Sequence, residues 1–429
     1  MSNDKNMPKA ANKPRFAKSV IEIWLWGGPS QLETFDPKPD APNDYNNGMK
    51  TIKTNSGFEL HEWMTELAKC SELYSIIRSM THPYFGHETA TYLMQTGRNP
   101  GGGVTFPALG ALISSTRIKG PGRKKNSIQS GLEYDADAKG IPPFVIMTHA
   151  KGRFSEVGFL GAAYAPLVTG GSARAKRFEV DGIVPPGGLT NQQLMERFDR
   201  CARIDRLPLD AEFEAAGAAA RNIILGPAAE RFDLSREDEK VRARYGVTQG
   251  GGYTEIGQQL LAARRLVEYG VPYVSINYGG WDSHKQHFTT MKRPSAEMDQ
   301  AVAALLLDLK EHNLLDSTIV WVSGEFGRVP KIDRQPPWNN GRNHFPRCFS
   351  ALVAGGGFKG GCVVGKSDET TDHVKERPVT PQDFLGSIME LSGVDPDDVL
   401  PNPKWLKEYG PVMNPATKSE CGRLKEIYA

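Results

Sequence analysis

The second half of the chain alternates short runs of β-branched and aromatic residues with amphipathic segments of helical spacing. Residues 273–277 and 317–322 are typical of strands, and residues 295–312 between them predict a long helix. Residues 349–354 repeat the strand pattern and residues 380–391 the helical one. This alternation predicts an α/β fold with a doubly wound, mostly parallel central sheet and helices on both faces.

The first half supplies further elements of the same kind. Residues 19–26, S-V-I-E-I-W-L-W, predict a central strand, and residues 142–147 predict a second, shorter one. Residues 63–79 and 89–96 have apolar side chains at helical spacing and predict two helices. Residues 190–245 are rich in Ala, Leu, Glu and Arg and predict a helical layer.

The chain shows no internal repeat and no linker that divides it. Its 429 residues are enough for a large core, and 39% of them are hydrophobic. We therefore expect residues 1–18 to form an extended or disordered tail and residues 19–429 to form a single domain.

Composition excludes several classes of partner. The formal net charge is only +2, which argues against a general attraction to nucleic acid or anionic lipid. No apolar run reaches the roughly 18 residues that a membrane helix needs. The basic, polar start of the chain has no secretory signal, which predicts a cytoplasmic protein for the sequence as given. The five scattered cysteines lack a C-x-x-C pair and do not suit a zinc knuckle or a disulfide framework.

Candidate functional residues follow the predicted strands. In open parallel sheets, ligands bind outside the carboxyl ends of the strands, where loops converge. Five polar segments lie in loops of this kind: G-G-P-S-Q at residues 27–31, the histidine-rich turn at 82–87, G-W-D-S-H at 280–284, G-E-F-G-R at 324–328 and G-R-N-H at 341–344.

Asp282, His284 and His287 place one carboxylate and two imidazoles on a short loop. Nitrogen and oxygen ligands of this kind suit a divalent metal such as zinc, calcium or magnesium, and His344 adds another imidazole. In the alternative interpretation, Asp282 caps a helix and the histidines are surface residues.

Glu325 and the arginines are the next candidates. Glu325 could act as a metal ligand, as a proton-transfer group or as the ion-pair partner of Arg328. Arg342, which precedes His344 in a polar loop, could bind a phosphate or sulfate. The alternative for Glu325 and Arg328 is a buried ion pair that holds the loop.

His87 begins a helical segment that also contains Thr89 and Thr91. The start of a helix can bind an anion and carry a nucleophile, which makes Thr89 or Thr91 a candidate. In the alternative interpretation, His87 is a helix cap and Thr89 is an ordinary helical residue.

Seven motifs in chain order, from about residue 17 to residue 391, resemble the DUF1501 family. They are W-G-G-P-S-Q-L-E-T-F-D-P-K-P (26–39), I-I-R-S-M-T-H (76–82), H-E-T-A-T-Y-L-M-Q-T-G-R (87–98), F-D-L-S-R-E (232–237), G-G-W-D-S-H (279–284), G-E-F-G-R (324–328) and G-R-N-H-F-P (341–346). DUF1501 proteins are similar to alkaline phosphatases and sulfatases, with a parallel sheet between helices and a metal site at the strand ends. Family members are often bacterial proteins exported by a twin-arginine signal, which this chain lacks.

The resemblance also implies departures from that superfamily. The first strand should end in a metal-binding Asp, but this chain has W-G-G there, and an expected Asp-His pair appears as Glu325-Phe326. One of the two usual metal subsites is therefore expected to be lost, while the other survives as Asp282, His284 and His344. His87 falls near the position of the superfamily nucleophile.

Two functions follow from the resemblance. The first is a metal-dependent hydrolase of phosphate or sulfate esters, acting on a small anionic ester or a sulfated glycan. In this hypothesis His87, Thr89 and Glu325 are catalytic, and the anion is bound by Gln31, Arg328 and Arg342. The second is a catalytically degenerate relative that binds an anionic glycan or a protein partner without turnover.

Overall fold

The computed structural model describes residues 16–101, 103–118, 132–147, 156–161, 164–170, 189–204, 221–222, 226, 229–246, 254–396 and 422–429. Most of the predicted tail (1–18) and part of the predicted helical layer (190–245) lie outside these residues. Ala17 and Lys18, at the end of the predicted tail, donate backbone hydrogen bonds to Leu391 and Ser317. The single-domain organisation of residues 19–429 stays a prediction.

The described strands share the short lengths that the sequence indicates. In chain order they are β1 Ser19–Leu25, β2 Thr51–Lys53, β3 Glu59–His61, β4 Tyr74–Met80, β5 Phe144–Met147, β6 Leu167–Val168, β7 Tyr273–Tyr278, β8 Thr318–Ser323, β9 Gly327–Arg328, β10 His344–Phe345, β11 Phe349–Ala354, β12 Val363–Val364, β13 Lys366–Ser367 and β14 Val374–Glu376.

The described helices vary more in length. The α-helices are Asn43–Asn46, Thr65–Lys69, His87–Thr96, Leu109–Ser115, Ala136–Lys139, Asn191–Ile204, Ala229–Phe232, Glu239–Arg244, Glu255–Glu268, His287–Glu311 and Pro381–Leu391. Short 3-10 helices span Ser71–Leu73, Gly158–Leu160, Leu234–Arg236, Leu315–Ser317 and Lys425–Ile427.

Eight strands form the central sheet in the order β12-β4-β11-β8-β1-β7-β5-β6. β1 pairs in parallel with β7 and β8, β5 pairs in parallel with β6 and β7, and β12 pairs in parallel with β4. Only β11 runs against its neighbours β4 and β8 within this sheet. The predicted mostly parallel sheet is therefore confirmed, with one antiparallel strand inside it.

Helices cover both faces of the sheet. Ile21 and Ile23 of β1 pack into one core with the helices Glu255–Glu268 and His287–Glu311. Val20 and Trp24 face the opposite core, which includes residues of Leu109–Ser115 and Pro381–Leu391. Because alternate side chains of a strand point to opposite faces, a strand that is buried throughout must be covered on both sides.

The predicted helix at residues 63–79 is wrong. The chain forms the short helix Thr65–Lys69 and then β4, whose residues Tyr74, Ile76 and Ile77 are buried in the sheet. A strand that is buried on both faces has a nearly continuous apolar run, which cannot be distinguished from a buried helix by spacing alone.

The helix predicted at residues 295–312 begins earlier than expected. It spans His287–Glu311 and continues through Pro294, although a proline usually ends or kinks a helix. The buried imidazole of His287 anchors the first turn through hydrogen bonds to Glu33 and Ser283. Tertiary contacts therefore extend this helix beyond the proline.

No helix among the residues that the structure describes is long and apolar enough to cross a membrane.

Glu22 is a buried acid in the central strand β1. Its carboxylate accepts hydrogen bonds from Gln95 of the helix His87–Thr96 and from the Tyr273 hydroxyl. Burial raises the pKa of Glu22 to about 7, and these hydrogen bonds oppose the rise only in part. The native protein therefore retains a proton here that the unfolded chain loses at lower pH.

We predict that Glu22→Gln stabilises the protein more at pH 8 than at pH 4. Stability falls as the pH rises from the unfolded pKa of 4.5 to the folded pKa of about 7, since the native state binds the extra proton in that window. The difference in unfolding free energy between variant and wild type should therefore grow by about 3 kcal/mol across it. Urea unfolding at several pH values measures this difference, with the exposed Glu59→Gln as the control. A difference that does not change with pH would contradict the prediction.

Candidate functional site

The candidate site lies at one edge of the central sheet. β1, β7 and β8 are parallel and in register, with Leu25 opposite Tyr278 and Trp24 opposite Ser323, so the loops after them leave the sheet together. The antiparallel β11 begins at the same edge, which brings in the segment before it. Connections after β1, β4, β7 and β8 and before β11 therefore meet there.

Four side chains converge at this edge, and we call them the Asp282 cluster: Asp282, His284, His344 and His87. Asp282 Oδ1 lies 3.0 Å from His284 Nε2 and 3.2 Å from His344 Nε2. The two Nε2 atoms of His284 and His344 are 3.0 Å apart. His87 Nε2 lies 3.4 Å from Asp282 Oδ2.

The outer nitrogens of two cluster histidines contact acceptors. His344 Nδ1 lies 2.8 Å from the backbone carbonyl oxygen of Phe85, which can only accept a hydrogen bond. In the neutral ring, His344 Nδ1 therefore carries the proton and Nε2 points a lone pair into the cluster. His284 Nδ1 lies 2.8 Å from Asn343 Oδ1, which gives the same orientation. Two nitrogen lone pairs and a carboxylate thus face one point, an arrangement that suits a cation.

His87 forms a short hydrogen bond with a buried acid. Its Nδ1 lies 2.5 Å from Glu325 Oε1, which also accepts the Gly27 backbone N–H at 2.9 Å. Glu325 is fully buried, and its Oε2 has no hydrogen-bond partner among the described residues. The hydrogen bonds of His87 to Asp282 and Glu325 raise the pKa of this imidazole to about 9. The ring stacks against Trp26, with the two centroids 5.8 Å apart.

Arg328 is completely buried behind the cluster. Its guanidinium donates to the carbonyl oxygens of Gly27, Gly28 and Arg342 and to Asp282 Oδ1. Burial acts to raise the pKa of Asp282, but the neighbouring imidazoles of His344 and His87 and the Arg328 guanidinium outweigh it and hold that pKa well below its ordinary value. Asp282 is therefore a carboxylate at any working pH.

A second buried network lies under the same loops. Arg342 donates to Glu33 Oε1 at 2.7 Å, and Glu33 Oε2 lies 2.9 Å from His287 Nε2. His287 Nδ1 in turn lies 2.6 Å from the Ser283 hydroxyl. His287 is buried at the start of its helix and faces the core, so it does not join Asp282 and His284, with which the sequence groups it on one loop.

The remaining predicted residues lie outside the cluster. Gln31 is buried, donates to Arg328 O at 2.9 Å and to Thr371 Oγ1 at 3.0 Å, and accepts the Arg328 N–H. The Thr89 hydroxyl donates to the Gly86 carbonyl at 3.0 Å and makes no described contact with the cluster. The sequence thus predicted the cluster and Glu325, whereas Gln31, Arg342 and Thr89 contact other parts of the protein.

Sequence reasoning missed the structural role of the W-G-G turn. A Cβ atom on Gly27 would lie 2.2 Å from Asp282 N, and one on Gly28 would lie 2.6 Å from Phe326 O. Both glycines also have positive φ angles, 111° and 87°. The absence of an Asp at the end of the first strand is accompanied by close backbone packing, which a side chain would block.

Residues 17–406 match the family model described as "Protein of unknown function (DUF1501)". The chain belongs to the DUF1501 family. No curated protein matches this DUF1501 chain.

Solved structures similar to the DUF1501 chain include a sulfatase and a phosphatase. Ps i-CgsB in complex with k-i-k-neocarrahexaose is 11% identical, with 93% of this chain and 76% of that chain covered and a TM-score of 0.41. The PsFucS1 sulfatase from Pseudoalteromonas sp. is 12% identical, with 88% and 68% covered and a TM-score of 0.35. The alkaline phosphatase from the Antarctic bacterium TAB5 is 13% identical, with 89% and 99% covered and a TM-score of 0.35. At these scores the function has to be argued from the site itself.

We predict that Arg328→Met lowers the unfolding free energy of this DUF1501 protein by about 3 to 5 kcal/mol, because buried carbonyls and Asp282 lose their donor. Urea unfolding gives the value. Arg334→Met is the matched control: Arg334 is exposed and pairs with Asp44, so the cost should stay below about 1 kcal/mol. Equal costs for the two variants would show that Arg328 does not hold the site together.

Proposed function

We propose that this protein is a metal-dependent hydrolase of phosphate or sulfate esters. The observation that supports this most directly is the geometry of the Asp282 cluster. The Nε2 atoms of His284 and His344 and the Oδ1 atom of Asp282 lie 3.0 to 3.2 Å from one another. Ligand atoms about 2.0 to 2.2 Å from one ion have spacings close to these.

Asp282, His284 and His344 would hold the metal. Two nitrogen ligands and one oxygen ligand favour an ion of the zinc type over magnesium or calcium, which prefer oxygen. When bound, the ion would polarise the ester oxygen or lower the pKa of a bound water. Arg328 fixes the Asp282 carboxylate from behind, and Phe85 and Asn343 orient the two imidazoles.

His87 and Glu325 would move protons. Glu325 accepts from His87 Nδ1, which leaves His87 Nε2 facing the cluster, where it could accept or donate a proton at the reacting ester. His87 itself lies within 4.8 Å of Asp282 and His344 by ligand atoms, so a role as an additional metal ligand is the alternative for this residue.

Anion binding requires a different arginine from the two that the sequence suggested. Arg328 and Arg342 are buried, and their guanidinium groups are engaged by protein acceptors, which supports a positioning role for both. Arg347 is exposed and lies over the ring of Phe85, with its Cζ 6.0 Å from the ring centroid. Since the Phe85 carbonyl also contacts His344, we place Arg347 at the rim of the site as the group that meets the anionic ester.

We predict that purified protein retains about one zinc-type ion per chain and that His284→Ala with His344→Ala removes it. Elemental analysis measures the content, and circular dichroism checks that the fold persists. His373→Ala, a histidine outside the cluster, is the control and should retain the metal. A wild-type protein that binds no divalent ion after metal supplementation would defeat the proposal.

We predict that His87→Gln lowers kcat on aryl phosphate or aryl sulfate esters by about 10² to 10⁴, the usual value of a positioned acid or base. Metal content should not change, which separates proton transfer from ligation. Thr89→Val tests the other candidate at the start of this helix, and we expect kcat within about twofold of wild type because its hydroxyl donates to Gly86. A loss in Thr89→Val equal to that in His87→Gln would instead make Thr89 the nucleophile.

A protein that binds the metal and sulfated sugars but turns over no ester would support the second hypothesis, a catalytically degenerate relative. The Thr89 hydroxyl, which donates to the Gly86 carbonyl and makes no described contact with the cluster, is the observation that favours this alternative.

A further inference from the structure

A second charged cavity lies apart from the Asp282 cluster and shares none of its residues. It has a volume of about 450 Å³ and lies between the segment after β1, strand β4 and the β13–β14 hairpin. Its charged lining residues are Asp36, Lys38, Arg78, Lys366, Glu376 and Arg377. Asp36 and Lys38 belong to the sequence motif F-D-P-K-P, and the proposed ester hydrolysis gives neither residue a role.

Positive charge exceeds negative charge in this cavity. Four cationic side chains face two carboxylates, and Glu426 pairs with Arg377 from outside the lining. Lys366 pairs with Glu376 at the surface, with 3.7 Å between Nζ and Oε1. Among these described side chains, one positive charge therefore has no carboxylate of its own within ion-pair distance, although Glu59 lies near enough to act on Arg78.

That charge lies on Lys38 and Arg78, which share a single carboxylate. Asp36 Oδ1 is 3.0 Å from Lys38 Nζ and 3.4 Å from Arg78 Nε, and both cations are only 18% exposed. Asp36 Oδ2 is already occupied by the Ser367 hydroxyl. A half-buried cation without its own counter-ion is unfavourable, and a bound anion would neutralise it.

Donors remain available for such an anion. Arg78 uses Nε for the Phe35 carbonyl and Nη2 for the Glu59 carbonyl, while its Nη1 has no hydrogen-bond partner among the described residues. Lys38 Nζ carries three N–H groups, and its described contact is the ion pair with Asp36 Oδ1, with no side-chain hydrogen bond among the described residues. A guanidinium beside an ammonium is the donor set that proteins use for tetrahedral oxyanions.

We propose that this cavity binds a tetrahedral oxyanion, sulfate or phosphate, through Lys38 Nζ and Arg78 Nη1. The anion would be either a free ion or a group on a larger molecule. Its binding would also hold the β13–β14 hairpin, whose Thr371 is joined through Gln31 to Arg328 and hence to the candidate site. The proposal does not depend on ester hydrolysis.

The test is saturable stabilisation of metal-free protein by sodium sulfate at constant ionic strength. Thermal unfolding midpoints should rise to a plateau below about 50 mM sulfate in the wild type. Lys38→Gln should weaken the apparent affinity at least about fivefold, and Lys38→Arg should keep it within about twofold. Glucose 6-sulfate serves as a parallel probe. If it binds more tightly than sulfate, the natural ligand is a sulfate group on a larger molecule; if it binds more weakly, the natural ligand is the free ion.

Two controls separate this cavity from other sites. Lys375→Gln removes a lysine of the same hairpin that pairs with Glu369 and does not line the cavity, so sulfate affinity should not change. His284→Ala with His344→Ala removes the Asp282 cluster and should also leave the affinity intact. The proposal is wrong if the wild type shows no saturable response, if Lys38→Gln binds as wild type does, or if the histidine variant alone loses binding.

Discussion

The geometry of the candidate site depends on one buried guanidinium. Arg328 donates to the carbonyl oxygens of Gly27, Gly28 and Arg342 and to the carboxylate of Asp282, so a single planar group joins the loops after β1, β7 and β8 to the segment before β11. A buried cation is tolerated only when acceptors satisfy its N–H donors. Each loop is therefore held at the position where its acceptor can bond to the guanidinium. Lysine could not reproduce this geometry.

The buried charges divide into two groups with different consequences. Arg342, Glu33 and His287 compensate one another beneath the loops and need no ligand. In the Asp282 cluster, by contrast, acceptors fix the outer nitrogens of His284 and His344, and the lone pairs of their inner nitrogens face each other without a proton between them. The first group explains rigidity, whereas the second leaves a site that a cation completes.

Much of this arrangement was predictable, and the failures have physical causes. Asp282, His284, His344 and Glu325 were found because they follow strands whose ends meet in a parallel sheet. The sequence grouped His287 with Asp282 and His284 on one loop, and only packing decides that the start of its helix directs the ring into the core. The sequence also did not decide the positioning role of Arg328 and Arg342, because it does not distinguish a buried arginine with protein partners from one that faces the substrate. The spacing of apolar residues also predicted a helix where the chain forms β4, because this strand is apolar on both faces.

The sequence by itself determined the class of fold and the set of chemical groups, because strand and helix periods and the positions of polar turns are local properties of the chain. Tertiary structure alone decided which of those groups share a point in space. The inner partners of Asp282 are contributed by loops far apart in the chain, and the direction of each side chain depends on hydrogen bonds to distant carbonyls such as that of Phe85. Those long-range contacts produce no periodic pattern in the sequence, and they form only when the sheet has assembled.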